Sequence, residues 1–221
     1  MWTFRYADGK WECNLKRRRC IGLTKSGTQC SRTTVFTLPY CWQHLQSDGH
    51  LVIGPTTLRG FKFLGLFACG KTFMPGERII EYVGSKIRKK TFRKRYPGKK
   101  EVAPYAIGLL DAACVRGAGS LANSCGSRKS RCNAKYEEVK GGKVYIVATK
   151  SIKSGQEILV DYGEDYWKRD SVHKKHKTTA KGQSYNKLKY TCRADQPKRK
   201  TTARRITRSM KKRTTRSMKR Y

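Results

Sequence analysis

The sequence predicts a mainly β domain of short strands, flanked by a cysteine-rich N-terminal segment and a basic C-terminal tail. Three observations carry this reading. Between residues 51 and 167, short apolar segments rich in β-branched or aromatic residues alternate with Gly- and Pro-containing turns. Residues 1–50 hold four of the nine cysteines and two of the four histidines, with few periodic apolar runs. Residues 168–221 hold 21 Lys/Arg against Asp170 and Asp195, a net of +19.

In the middle segment, Lys62–Ala68, Arg78–Val83, Tyr105–Asp111, Lys143–Ala148 and Glu157–Tyr162 have the length and composition of strands. Pro75-Gly76, Pro97-Gly98, Gly141-Gly142 and Ser154-Gly155 punctuate them. Lys86–Tyr96 alone suggests a helix, and its apolar Ile87, Phe92 and Tyr96 fit a helical face poorly. The tail repeats Thr-Arg-Ser-Met-Lys at 207–211 and 215–219 and holds too few large apolar residues to offset ordering entropy, so disorder is expected there. Tyr185 and Tyr190 are its exception, as aromatics able to dock back on the domain.

A chain of 221 residues with 37 % apolar and 10 % aromatic content can bury one core of ordinary size and a small satellite. Its net charge of +36 attracts polyanions, which makes DNA or the nucleosome the natural partner of the tail. No stretch approaches the roughly 18 consecutive apolar residues of a membrane span, so no membrane partner is expected. Met1-Trp2-Thr3-Phe4-Arg5-Tyr6 lacks an apolar core, so no secretory signal is expected either. Nine cysteines, an odd count, then read as metal ligands and free thiols ahead of disulfides.

Cys20, Cys30, Cys41 and His44 form a C-x9-C-x10-C-x2-H pattern. Three sulfurs and an imidazole suit tetrahedral zinc, with Cys41 and His44 clasping one side and Cys13 as an alternative ligand. In a segment with so little apolar periodicity, a structural Zn2+ would supply the missing core.

Three blocks then carry a resemblance. They are Lys62-Phe63-Leu64-Gly65-Leu66-Phe67-Ala68 with Gly76–Gly84, the Asn123/Asn133 region, and Gly155-Gln156-Glu157-Ile158-Leu159-Val160-Asp161-Tyr162-Gly163. In this order, over roughly residues 58 to 167, they resemble the SET-domain family of protein-lysine methyltransferases. The resemblance implies a fold of small sheets around a knot-like centre. Together with the composition shifts, it gives a zinc-binding module at 1–50, a catalytic domain at 51–167 and a mostly disordered tail at 168–221.

The resemblance also implies roles. Tyr162 stands where the family's tyrosine points its hydroxyl at the transferring methyl, and Tyr105 where an aromatic lies near the substrate channel. Leu64, Gly65, Leu66 and Phe67 would form the S-adenosylmethionine loop, with Asn123, Ser124 and Asn133 as further cofactor contacts. Ser124 replaces the family's histidine and Ser120 its arginine, which puts side-chain contacts at those positions in question. Val160, two residues before Tyr162, replaces a common Tyr or Phe, which implies a roomier channel and more than one methyl added. Trp167 and Tyr166 would pack over the channel as a lid. The family's C-terminal C-x-C-x4-C cluster is absent, leaving a makeshift site of Cys125 or Cys132 with His173, His176 and Cys192, or closure by Tyr185 and Tyr190.

The expected function is a lysine methyltransferase acting on histones or another chromatin protein, in the nucleus. The alternatives are a catalytically impaired SET-fold chromatin-binding protein and a nucleic-acid-binding protein run by the zinc-like module and tail.

Overall fold

A computed structural model of the protein describes residues 2–6, 11–15, 17–34, 38–58, 64–96, 105–126, 129–164, 166 and 192. The structure is mainly β, as expected. Strands β1 (Trp2–Tyr6) and β2 (Trp11–Leu15) form an antiparallel hairpin pairing Trp2 with Leu15. The cysteine-rich segment follows and ends in a short helix, α1 (Trp42–Ser47), whose Leu45 enters the main core. Strands β3 (Leu51–Pro55) and β4 (Leu64–Ala68) pair antiparallel with Ile53 opposite Leu66.

Next come β5 (Arg78–Glu81), β6 (Ser85–Lys86), helix α2 (Lys89–Arg95), β7 (Ala106–Ile107) and β8 (Leu110–Asp111). The expected strand over Tyr105–Asp111 is a hairpin instead. Gly108 turns the chain at a φ of 55°, and β7 folds back on β8, which also pairs with β6. The predicted helix over Lys86–Tyr96 is present as α2, shorter at its start. A 3-10 turn at Ala118–Leu121 leads into β9 (Asn123–Ser124), followed by β10 (Ala134–Val139), β11 (Lys143–Ala148) and β12 (Leu159–Val160). Gly141 and Gly142 close the β10–β11 hairpin with φ of 92° and 71°, left-handed values that glycine adopts without steric cost. Strands β1, β2, β3, β6, β9 and β10 and helix α1 were not anticipated, and Lys86, expected in the helix, lies in β6.

The largest sheet has the order β5-β11-β10-β12-β9. Strand β12 lies between β9 and β10 and runs parallel to both, with Val160 opposite Ser124 and Ala134. The C-terminal block is thus inserted between the two asparagine-bearing segments, which forms the knot-like centre. Backbone bonds tie the same block to β4: the Ala68 amide donates to Gln156 O at 3.0 Å and the Ile158 amide to Leu66 O at 2.8 Å. Leu51, Leu66, Ile146, Ile152, Ile158 and Val160 are fully buried in one cluster at this junction. Each contributes about 1.5–3 kcal/mol of burial.

Four of the nine cysteines are paired and five are free, so disulfides accompany the metal ligands and free thiols that were expected ahead of them. Cys69 bonds Cys192 and Cys125 bonds Cys132. The first pair is 123 residues apart, and spacing could not reveal it. These disulfides occupy the cysteines of the makeshift metal site, whose His173 and His176 lie outside the described residues. Trp167, Tyr185, Tyr190 and the tail apart from Cys192 also lie outside them.

Candidate active site and metal centre

The four residues of the cysteine-rich pattern converge. The ligand atoms of Cys20, Cys30, Cys41 and His44 all lie within 4.8 Å of one another, and all four side chains are buried. His44 Nδ1 is 3.4 Å from both Cys20 Sγ and Cys41 Sγ. A tetrahedron with zinc–sulfur and zinc–nitrogen bonds of about 2.3 and 2.0 Å has a sulfur–nitrogen edge of about 3.5 Å, so the donor set fits the ion. The other ring nitrogen, Nε2, is 2.7 Å from Leu23 O, an outer partner that fixes the ring with Nδ1 inward. Gly22 is required here, because a Cβ would lie 2.5 Å from the His44 ring.

The electrostatics favour thiolates at Cys20 and Cys30, whereas burial pushes the Cys41 thiol up. Burial works against ionisation of Cys20, but the Cys41 and Gly22 amides donate to its sulfur and the net shift is downward. The Arg32 amide leads the same effect at Cys30, lowered to about 7. Cys13 stands apart: its thiol donates to Ala113 O at 3.4 Å beside Cys114, and burial pushes it up to about 12. It is therefore not placed as a ligand.

A second assembly forms where β4, β9 and the C-terminal block meet. Glu157, 5 % exposed, receives hydrogen bonds from the Thr56 hydroxyl at 2.7 Å, the Thr57 amide at 2.6 Å, the Thr57 hydroxyl at 2.5 Å and Asn123 Nδ2 at 2.9 Å. Asn123 Nδ2 also donates to Leu64 O at 3.0 Å. A Cβ at Gly65 would lie 2.3 Å from Glu157 Oε1 and 3.2 Å from Asn123 Nδ2. The glycine is thus demanded by the glutamate itself. Sequence reasoning passed over Glu157, since a glutamate two residues after a turn glycine reads as a surface residue.

Asn133 fastens the knot. Its Nδ2 donates to Glu157 O at 2.9 Å, its Oδ1 accepts from the Leu159 amide at 2.8 Å, and its own amide donates to Leu159 O at 3.0 Å. Both ends of the side-chain amide are spent on the C-terminal block. Ser124 Oγ accepts from the Gly126 amide at 3.2 Å, closing the turn after β9.

The Tyr162 hydroxyl donates to Ala122 O at 2.8 Å, so it is held by the residue preceding Asn123. Its ring meets Tyr166 edge-on, with centroids 4.9 Å apart. Tyr82 and Tyr136 form a second edge-on pair at 5.5 Å. The Tyr82 hydroxyl donates to Tyr105 O at 2.8 Å, and the buried Arg116 guanidinium lies 3.9 Å from the centre of the Tyr105 ring. Burial, followed by neighbouring phenols, pushes the hydroxyls of Tyr82, Tyr136, Tyr162 and Tyr166 above the usual phenol range. Burial in this aromatic region penalises a charged amine through desolvation. Val160, fully buried, sits in the core cluster against which Tyr162 packs.

Leu64, Asn123 and Tyr162 are therefore brought together, with Tyr105 in the adjoining tyrosine group. Tyr136 and Arg116 were not foreseen. Tyr136 lies on a strand whose Lys and Glu neighbours mask the alternation, and Arg116 is one of many basic residues.

No curated protein sequence matches the chain. Among solved structures it is similar to the Chaetomium thermophilum polycomb repressive complex 2, at 24 % identity and a TM-score of 0.43, covering 52 % of this chain and 15 % of that one. It is also similar to the same complex in an autoinhibited conformation bound to S-adenosylmethionine, at 22 % identity and a TM-score of 0.43, covering 57 % and 16 %. The chain thus spans less than a fifth of each of these solved chains. The family model of the SET domain matches residues 64–163. The chain carries a SET domain over those residues, and members of that family are protein-lysine methyltransferases.

Proposed function

We propose that the protein is an S-adenosylmethionine-dependent protein-lysine N-methyltransferase that acts on histones or another chromatin protein and adds more than one methyl. The observation that carries this reading is the placement of the Tyr162 hydroxyl: anchored to Ala122 O, next to the Asn123–Glu157 contact and among packed tyrosines. In this reading Leu64, Gly65, Leu66, Phe67, Asn123, Ser124 and Tyr162 hold the cofactor, which supplies a methyl on an electrophilic sulfonium, and Asn133 contributes to its site by positioning the C-terminal block. The chain's own work is to keep the lysine amine neutral, align it and exclude water. Tyr105, Val160 and Trp167 line the lysine channel. Zinc at Cys20, Cys30, Cys41 and His44 holds the 1–50 module, the 51–167 domain does the chemistry, and the basic 168–221 tail binds DNA or the nucleosome in the nucleus.

A second reading, a SET-fold chromatin-binding protein with impaired catalysis, is favoured by one observation. Ser124 replaces the family histidine, and its hydroxyl is engaged by the Gly126 amide. The two readings separate in one assay: methyl transfer from labelled cofactor to core histones and nucleosomes, with Tyr162→Phe alongside. The first expects transfer that falls about a hundredfold in the variant, the scale of losing one preorganised polar contact to the transition state. Absence of transfer supports the second, and absence of cofactor binding sinks the first.

A further inference from the structure

We propose that helix α2 presents a phosphate-binding face for duplex DNA, separate from the tail and independent of the methyltransferase reading. Arg88, Lys89, Lys90, Arg93 and Lys94 are all exposed, as is Lys86 just before them. Among the described residues, the ion pairs involve Arg95 of this helix but none of those five cations.

Stability does not account for this sequence. The helix buries no residue, has no side-chain cap and carries no acidic residue in its first turn. Lys89 and Lys90 stand at its positive end, where a cation is disfavoured by the helix dipole. Lys89 with Arg93 and Lys90 with Lys94 are like-charge pairs four residues apart, which are disfavoured too. A polyanion lying on this face relieves all of these repulsions at once.

The helix is nevertheless held rigidly, from its other end. Arg95 Nη1 donates to Asp111 Oδ2 at 2.7 Å, and the Tyr96 hydroxyl donates to Asp111 Oδ1 at 3.2 Å. Asp111 is 1 % exposed and also receives the Ala113 amide at 2.9 Å. Phe92 and Tyr96 pack with ring centroids 5.0 Å apart. One basic residue thus anchors the helix while five project from it, and among the described residues no large exposed apolar residue of the helix accompanies them to recognise a protein. Cations displayed without an apolar anchor match the repeating charge of a nucleic-acid backbone. Asp111 lies on β8, opposite Ala106 beside Tyr105, so DNA on α2 would flank the tyrosine group.

The test uses the full chain and a short DNA duplex, with affinity measured across a salt series. The triple variant Lys89→Ser, Lys90→Ser, Arg93→Ser should flatten the slope of log affinity against log salt by about 2 to 3, at about 0.9 per lost phosphate contact. Its melting temperature should hold or rise, since repulsion is removed. A control variant removing the same charge elsewhere, Lys25→Ser, Lys140→Ser, Lys153→Ser, should leave the slope nearly unchanged. An unchanged slope in the α2 variant overturns the proposal, and so does an equal loss in the control. Displacement of DNA from the wild type, but not from the α2 variant, by polyglutamate at lower charge concentration than competing DNA would assign the face to an acidic protein instead.

Discussion

The Asn123 side-chain amide donates to the Glu157 carboxylate at 2.9 Å, a side-chain contact between the asparagine block and the C-terminal block at the head of β4. The carboxylate is an acceptor only, and every described partner is a donor: two hydroxyls, a backbone amide and an amide NH2. Glu157→Gln turns one acceptor into a donor facing other donors. The variant should lose about 1–3 kcal/mol of unfolding free energy, the cost of an unsatisfied buried polar group. Cofactor affinity should fall more than kcat, because Asn123 and Leu64 lose their shared orientation. Denaturant melts and a KM-against-kcat comparison read both effects. An unchanged melt would mean that the contact does not hold the junction.

Much of this site was legible because it depends on short contiguous blocks. The Leu-Gly-Leu-Phe run, Asn123 and the Asp-Tyr-Gly turn stand out wherever they fold, and three of those segments meet in space. Glu157 was not legible, since its partners at Thr56 and Thr57 lie 101 and 100 residues away. Strands of two residues such as β9 and β12 leave no periodicity to read, and their pairing is set by the knot. The Tyr105–Asp111 segment was misread because its apolar run continues through Gly108, where only the backbone reverses. The Cys20, Cys30, Cys41 and His44 set was legible from composition despite its long spacings.

Arg116 should set the pH dependence of catalysis. Its charge sits against the Tyr105 ring, and a cation there disfavours the ammonium form of an incoming lysine. Burial holds the Tyr162 phenol above its ordinary range, so it stays protonated through about pH 10. The rise of activity with pH should therefore report deprotonation of the substrate amine, with no fall from tyrosine ionisation below that point. Arg116→Gln should move the rising limb to higher pH, and Arg116→Lys should keep it nearer the wild type. A parallel drop at all pH values would make Arg116 a packing residue.

The protein should carry one zinc ion per chain, and its removal should loosen more than the N-terminal module. His44 and Leu45 are adjacent on α1, and Leu45 belongs to the same core cluster as Leu51 and Leu66. Chelation should therefore lower the melting temperature of the whole chain. His44→Ala should weaken zinc binding by well over tenfold, more than the roughly 10–100-fold cost of losing only an outer partner at its lower end. After chelation and unfolding without reductant, the thiols of Cys13, Cys20, Cys30, Cys41 and Cys114 should react, and those of Cys69, Cys125, Cys132 and Cys192 should not. Elemental analysis and thiol labelling with mass spectrometry check each part.

Val160→Tyr should shift the product toward monomethyl-lysine while keeping the first transfer. Val160 is fully buried two residues before Tyr162, in the cluster against which that tyrosine packs. If its side chain borders the methyl-lysine space, an added ring and hydroxyl fill the volume that a second or third methyl needs, whereas the unmethylated amine still reaches its aligned position. If Val160 borders only core, the ring is overpacked and costs about 1–3 kcal/mol of stability without changing the product. Mass spectrometry of a peptide substrate, with a thermal melt of the same sample, separates the two. A destabilised variant that makes di- and trimethyl-lysine in the parent ratio would remove Val160 from the channel.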